Sequence, residues 1–185
     1  MTTIELPIQT ERLTLRAFEP DDLETLHAYQ SRSDVTRFLL WGPRDRDEVR
    51  EALAFKLKST GIEAEGDVLA VAAQERTSGA MVGDLILHYL SRQDRTGEIG
   101  YIIHPDHQGH GYATEAGRAL LRVAFDVLGW HRVVGHAEPR NTASTRVLEK
   151  LGMRREAHFV ENEFIRGEWQ SEVVYAILDR EWAAG

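Results

Sequence analysis

The sequence predicts a mixed, mostly antiparallel β-sheet covered by four helices. Three observations carry this expectation. Apolar stretches of strand length recur at 11–18, 68–73, 81–89, 98–103 and 130–137, and twice more near the end. The stretches at 68–73, 81–89 and 98–103 are separated only by short turns, as in an antiparallel meander. A long amphipathic stretch then lies between 98–103 and 130–137. It gives the chain room to return and lay the next strand parallel to the last, with a right-handed crossover.

Taken in order, Glu11 to Phe18 alternates in polarity and reads as the first strand. Pro20-Asp21-Asp22 opens a helix, where a carboxylate can cap free N–H groups, and Leu23, Leu26 and Tyr29 follow at helical spacing. Trp41-Gly42-Pro43 is a break. A second helix runs from about Asp45 to Lys58, with Val49, Leu53 and Leu57 four apart. Both helices are modestly apolar, which suits the surface of a sheet.

Val68 to Ala73 is apolar throughout, as in a strand buried on both sides. Met81 to Tyr89 follows a Thr77-Ser78-Gly79 turn and carries Gly83 inside it. Glu98 to Ile103 places Ile99, Tyr101 and Ile103 on one face and Glu98, Gly100 and Ile102 on the other, and Pro105 ends it. The helix from about Tyr112 to Leu128 shows an apolar stripe of Ala113, Ala116, Leu120, Ala124 and Val127. Glu115, Arg118, Arg122 and Asp126 lie opposite, and Gly129 stops it. Trp130 to Ala137 is the next strand. Asn141 caps a short helix from Thr142 to Leu151, closed by Gly152. Strands near Met153 to Ile165 and Trp169 to Leu178 turn at Arg166-Gly167-Glu168. With no repeat and no low-complexity linker, residues 1–185 are expected to form a single domain.

Composition narrows the function. Hydrophobic residues make up 42% and charged residues 28% of the 185, as in ordinary globular proteins. The formal net charge of -8 argues against sequence-independent nucleic-acid binding, which needs a basic face. No apolar run approaches a membrane span and no signal-peptide pattern opens the chain, so a cytoplasmic protein without a membrane partner is expected. The absence of cysteine excludes disulfides, thiolate metal ligands and a cysteine nucleophile.

The chemistry concentrates where the strand Glu98 to Ile103 meets the long helix. Gln108-Gly109-His110-Gly111-Tyr112-Ala113 is a glycine-bearing loop that opens a helix. Such a loop points backbone N–H groups one way and adds the positive end of the helix dipole, which suits an anion such as a pyrophosphate. His104, His107 and His110 are evenly spaced but lack a carboxylate or thiolate companion, so no metal is expected. A kinase-type phosphate loop is disfavoured, because the stretch has no Gly-Lys-Ser/Thr signature and no lysine.

With Gln108, Gly111 and Ala113 in place, this loop resembles the coenzyme A loop of the GCN5-related N-acetyltransferase (GNAT) superfamily. The strand before it, the Thr-Glu-Ala after it, His131-Arg-Val-Val, Asn141-Thr-Ala-Ser144 through Leu151-Gly-Met, Gly167-Glu-Trp and the opening Thr10-Glu-Arg-Leu-Thr-Leu-Arg extend the likeness over nearly the whole chain. Together they resemble the branch of bacterial ribosomal-protein N-terminal acetyltransferases.

The resemblance implies a seven-stranded sheet whose fourth and fifth strands run parallel and splay apart, with acetyl-CoA in the gap. It implies that backbone groups of Ile102 and Ile103 hold the pantetheine arm. The amides of Gln108, Gly109, His110, Gly111, Tyr112 and Ala113 would hold the pyrophosphate, with Asn141 and Ser144 touching the same cosubstrate. The reaction is acyl transfer to an amine, which has to be neutral to attack. An α-amine, with an unperturbed pKa of about 7.7–8.0, needs less help than a lysine-type amine at about 10.4.

Glu98, on the strand lining the gap, is the candidate base, directly or through a water, with a surface or salt-bridged strand carboxylate as its plain alternative. Ser144 is the candidate acid for the leaving thiolate, and Asn141 is a cap that also faces the cosubstrate. Many members of the superfamily carry a tyrosine as the acid in this helix, at the position matched here by Leu148. Direct transfer in a ternary complex is favoured over an acyl-enzyme. Trp41 and Tyr29 are candidates to line an acceptor pocket, while Phe38 reads as core.

A protein N-terminal α-amine is the first expectation for the acceptor. A small amine (polyamine, amino acid or aminoglycoside) is the alternative, and a non-catalytic acyl-CoA-binding sensor is the rival of another class. The oligomeric state, a homodimer among the options, is left open by the residues.

Overall fold

The computed structural model describes residues 4–184. Eight strands form one sheet in the order β1-β2-β3-β4-β5-β6-β8-β7. They are β1 (Ile8–Gln9), β2 (Leu13–Arg16), β3 (Val68–Glu75), β4 (Met81–Ser91), β5 (Thr96–Ile103), β6 (Arg132–Ala137), β7 (Arg154–Ile165) and β8 (Glu168–Leu178). Seven were expected. The eighth is the two-residue β1, too short for an alternating pattern, which pairs antiparallel with β2 through Ile8↔Leu15. The four expected helices are α1 (Leu23–Gln30), α3 (Arg46–Lys58), α4 (Tyr112–Arg122) and α5 (Thr142–Lys150). Two single turns join them, α2 (Ser33–Thr36) and α6 (Asp179–Trp182).

Two local expectations are corrected. A 3₁₀ turn, Pro20–Asp22, precedes α1, and the Asp22 carboxylate caps no α1 amide. It accepts from the Glu19 amide at 2.8 Å and pairs with Arg16 at 2.7 Å. The long helix also changes winding after Arg122, where Val123–Val127 forms a π turn. The wider turn rotates Val127 out of the apolar stripe and leaves it 39% exposed.

Alternation along the strands builds two cores. One face of the sheet presents Leu13, Leu15, Leu69, Val71, Leu85, Leu87 and Ile99 to Ala116 and Leu120 of α4 and Leu148 of α5. The other presents Ala70 and Ala72 to Leu26 and Tyr29 of α1 and Val49 and Leu53 of α3. The small side chains of β3 let those helices sit close.

β5 and β6 are parallel, and they pair over three rungs only: Thr96↔Arg132, Gly97↔Val133 and Glu98↔Val134. Beyond Glu98 each strand is held by its other neighbour. β5 stays on β4 as far as Ile103↔Gly83, and β6 stays on β8 as far as Ala137↔Val173. The sheet therefore opens between them. Two glycines permit this geometry. A Cβ at Gly97 would lie 1.9 Å from the Trp130 ring, which stacks on Tyr89 at the vertex. A Cβ at Gly135 would lie 2.6 Å from Leu148, so its absence lets α5 settle on β6.

The β7–β8 hairpin projects past the end of β6. At its turn, Arg166 Nη2 donates to the carbonyls of Thr36 at 3.0 Å, Arg37 at 2.9 Å and Leu39 at 3.3 Å. Phe159, Val160, Phe164 and Trp169 of the hairpin are exposed, as is Leu40 beside the docked segment. No helix among the described residues is long and apolar enough to cross a membrane.

Candidate active site

The loop between β5 and α4 is shaped by two left-handed glycines, Gly109 at φ +80° and Gly111 at φ +81°. A Cβ on Gly109 would meet nothing within 4 Å, and one on Gly111 only Arg12 Nη2 at 3.6 Å. Their first requirement is thus backbone conformation, since the protein itself leaves room for a side chain. Among the described residues, the amides from Gly109 to Thr114 donate to no protein acceptor, and no side chain caps α4. Six consecutive N–H groups at a helix N-terminus form a strong anion site.

The run begins one residue later than the sequence suggested. The Gln108 amide is already spent on the Pro105 carbonyl at 3.2 Å, and the Gln108 side chain donates to the Ile103 carbonyl at 3.1 Å. His110 leaves its amide without a protein acceptor while its ring stacks on Tyr112. The Tyr112 side chain is buried with its hydroxyl on Glu75 at 2.5 Å, so only its amide is turned to the loop. Ala113 likewise turns its methyl to the core.

A brace from the start of the chain holds this loop. Glu115, in the first turn of α4, accepts from the Thr10 hydroxyl at 2.6 Å and from the Arg12 amide and Nε, each at 2.7 Å. Arg12 Nη1 reaches the His110 carbonyl at 2.9 Å, and its guanidinium lies over the Tyr112 ring. Burial pushes the Glu115 carboxyl up, but these hydrogen bonds outweigh it and hold the group below its ordinary range. The brace spans about a hundred residues of sequence, so no local pattern could have shown it.

In the gap, strand alternation decides which backbone groups are free. The His104 amide donates to the Val82 carbonyl at 2.8 Å, and Ile103 stands opposite Gly83. That register turns the main-chain groups of His104 and Ile102 toward β4 and those of Tyr101 and Ile103 toward the gap. Of the two residues the resemblance names, Ile103 turns its main-chain groups to the gap, where its carbonyl already accepts from the Gln108 side chain. Ile102 does not: its carbonyl lies against Gly83, and the other gap-facing residue is Tyr101.

Glu98 sits on the last rung before the opening, on the α1/α3 face, half-buried and with no side-chain hydrogen bond among the described residues. Asn141 caps α5 through Oδ1, which accepts from the Ser144 amide at 3.2 Å. Ser144, on the opposite face of the sheet from Glu98, meets a residue that the sequence did not single out. The Tyr101 hydroxyl crosses from β5 to α5, donates to the Ser144 carbonyl at 2.9 Å and lies 3.1 Å from Ser144 Oγ. Burial pushes Tyr101 up to about 12, against the Ser144 hydrogen bond, so the hydroxyl stays protonated near neutral pH. Leu148 is buried and supplies no polar group.

Trp41 is half-buried beneath the Arg44 guanidinium, 3.8 Å from its ring. Phe38, expected in the core, is only partly covered, with the Arg37 and Arg140 guanidiniums over its ring. Tyr29 is corrected as a pocket wall. It has no exposed surface and donates to the buried Asp84 at 2.5 Å, and Asp84 also pairs with Lys56. Among the three loop histidines, the His104 and His107 rings meet edge to face, and His110 Nδ1 contacts the His107 carbonyl at 3.2 Å.

Comparison with known proteins agrees with this geometry. The family described as "Acetyltransferase (GNAT) domain" matches residues 12–154. YnaD of Bacillus subtilis (strain 168), named an uncharacterized N-acetyltransferase, is 34% identical over 175 residues, covering 95% of this chain and 98% of its own. A crystal structure of a GNAT-family acetyltransferase from Bacillus anthracis superposes with a TM-score of 0.82 at 33% identity, over 94% of this chain and 98% of that one. A spermidine N-acetyltransferase from Vibrio cholerae, solved in complex with CoA and spermine, superposes with a TM-score of 0.79 at 25% identity, over 93% and 98%. The splayed parallel pair, the open row of amides at α4 and these likenesses together show that the chain belongs to the GNAT acetyltransferase family and is an N-acetyltransferase.

Proposed function

We propose that the protein transfers an acetyl group from acetyl-CoA directly to a primary amine, and that the amine is the N-terminal α-amine of a polypeptide. The observation that carries the first half is the row of unpartnered amides from Gly109 to Thr114 beside the opened β5/β6 pair. Those amides fit a pyrophosphate, and the gap-facing main-chain groups of Tyr101 with the Ile103 amide fit an extended amide-bearing arm. Asn141 and Ser144 border the same arm from α5. Acetyl-CoA supplies the activated acyl group, and the protein orients it and manages protons.

The amine approaches from the α1/α3 face, where Glu98 stands. Glu98 attracts the cationic acceptor and takes, directly or through a water, the proton that makes it nucleophilic. On the other face the Ser144 hydroxyl, oriented by Tyr101, donates to the departing sulfur. Trp41 lines the approach. The polypeptide acceptor is favoured by the exposed apolar side chains around the approach, Leu40 and the hairpin's Phe164 and Trp169, which suit side chains following the first residue of a peptide. A small cationic amine is the second choice, favoured by the spermine complex of the Vibrio cholerae relative.

The test is acetyl-CoA-dependent release of free thiol with short peptides of varied first residue, polyamines, amino acids and aminoglycosides. Peptides are expected to turn over best, and Glu98→Gln to lower kcat by about 10²-fold with unchanged CoA affinity. Turnover of polyamines alone would exchange the acceptor. Full activity in Glu98→Gln would remove that residue from the chemistry.

A further inference from the structure

On β6, Val133 and Ala137 belong to the core beneath α4 and α5, so Val134 and His136 stand on the opposite, acceptor face. β8 alternates in the same sense: Val173, Tyr175 and Ile177 are in that core, and Glu172 is on the acceptor face. There, His136 Nδ1 lies 2.8 Å from Glu172 Oε1. A carboxylate can only accept, so Nδ1 carries the hydrogen and the neutral ring keeps its lone pair on Nε2. Nε2 has no partner among the described residues, and the two side chains are 37% and 27% exposed.

Position adds to chemistry. Counting on from the rung Glu98↔Val134, His136 is level with Gly100, just inside the opening. It stands roughly 7 Å beyond Glu98 along the strands. Gly100 has no side chain of its own opposite, and Ile86 of β4 leans over it, 3.1 Å from where a Cβ would stand. Among the described residues the imidazole's charged partner is Glu172 of β8, and Glu98 of β5, with His88 of β4 beside it, lies on the same face two rungs back. Phe159 of β7, across from Glu172, is apolar, and Glu138 and Arg140 past the end of β6 pair with each other at 2.8 Å.

We propose that His136, oriented by Glu172, accepts the second of the two protons that the acceptor nitrogen loses. This role rests on the acetyltransferase reading above. An ammonium group loses one proton to become a nucleophile. Once the C–N bond has formed, the nitrogen is again cationic and has to lose another before the C–S bond breaks to give a neutral amide. Glu98, at the closed end of the opening, serves the first loss, and His136 Nε2, two residues further along the splayed strands, serves the second. Of the two protons, one ends on the sulfur of CoA and one in the solvent, so the reaction balances without any further reagent. Glu172 is a positioning residue that fixes the tautomer.

The experiment compares wild type, His136→Gln, His136→Gly and Glu172→Gln with the best amine of the panel, with CoA binding followed by calorimetry. We expect kcat to fall by about 10²-fold in both His136 variants and less in Glu172→Gln. CoA affinity and the KM for acetyl-CoA should stay within about twofold. Added imidazole should restore turnover to His136→Gly and not to His136→Gln, where the space is filled. Retention of wild-type kcat in His136→Gln overturns the proposal. So does a loss in His136→Gly that imidazole cannot repair while CoA still binds. If His136→Gly no longer binds CoA, the His136→Gln comparison decides. Failure of the wild-type protein to acetylate any amine would instead overturn the acetyltransferase reading itself.

Discussion

On the proposed reading, Gly111 serves the cosubstrate before it serves the fold. It holds φ at +81°, and around it the protein is roomy. Gly111→Ala therefore costs only the strain of a left-handed L-residue, about 1–2 kcal/mol. The added methyl, however, stands where backbone amides have to approach an anion. CoA affinity is expected to fall by about 10-fold or more, read by calorimetry, while the urea midpoint shifts only by that strain. The local structure of such residues was legible in the sequence: the glycine turn before an amphipathic helix, the Asn141 cap ahead of α5 and Glu98 on its strand each declare themselves locally. Tyr101 did not. As one apolar member of an alternating strand it looks like core, and only the packing of α5 against Gly135 brings Ser144 to its hydroxyl.

At the scale of elements, α4 is aimed by the Arg12–Glu115 brace. The carboxyl of Glu115 is held below its ordinary value of 4.5 in the folded protein. Its contribution is therefore fully present above the unfolded pKa and is lost as pH falls through the folded one. Glu115→Gln is expected to cost about 1 kcal/mol at pH 7. The gap between variant and wild type should close as urea titrations are taken below pH 4.5. Elements with strong periodicity or capping residues were readable: α3 begins where Asp45 caps it, and the meander β3–β4–β5 follows its turns. Elements made by partners were not. β1 exists because β2 offers an edge, α2 because Arg166 holds its end, and the π turn after Arg122 has no signature in an apolar stripe of ordinary spacing.

At the scale of the molecule, the opening between β5 and β6 depends on a clamp at its closed end. Gly97 faces the flat of Trp130, and the Trp130 ring rests on Tyr89. Gly97→Ala has to displace that indole and, through it, both strands at the vertex. A loss of about 3 kcal/mol is expected in urea unfolding, at the upper end for overpacking because the blocking atoms belong to a rigid ring. The general plan, a parallel pair inside an antiparallel sheet, could be foreseen from the length of chain between the two strands. The reach of the hairpin could not, because it ends on a segment about 130 residues earlier. That contact has a consequence for what the protein can admit. Arg166 ties the tip of the hairpin to the turn after α2, so the hairpin is anchored at both ends rather than hanging free. On the proposed reading, an acceptor has to enter beside a fixed rim, and a narrow free chain end is expected to pass it more readily than a lysine on the surface of a folded domain.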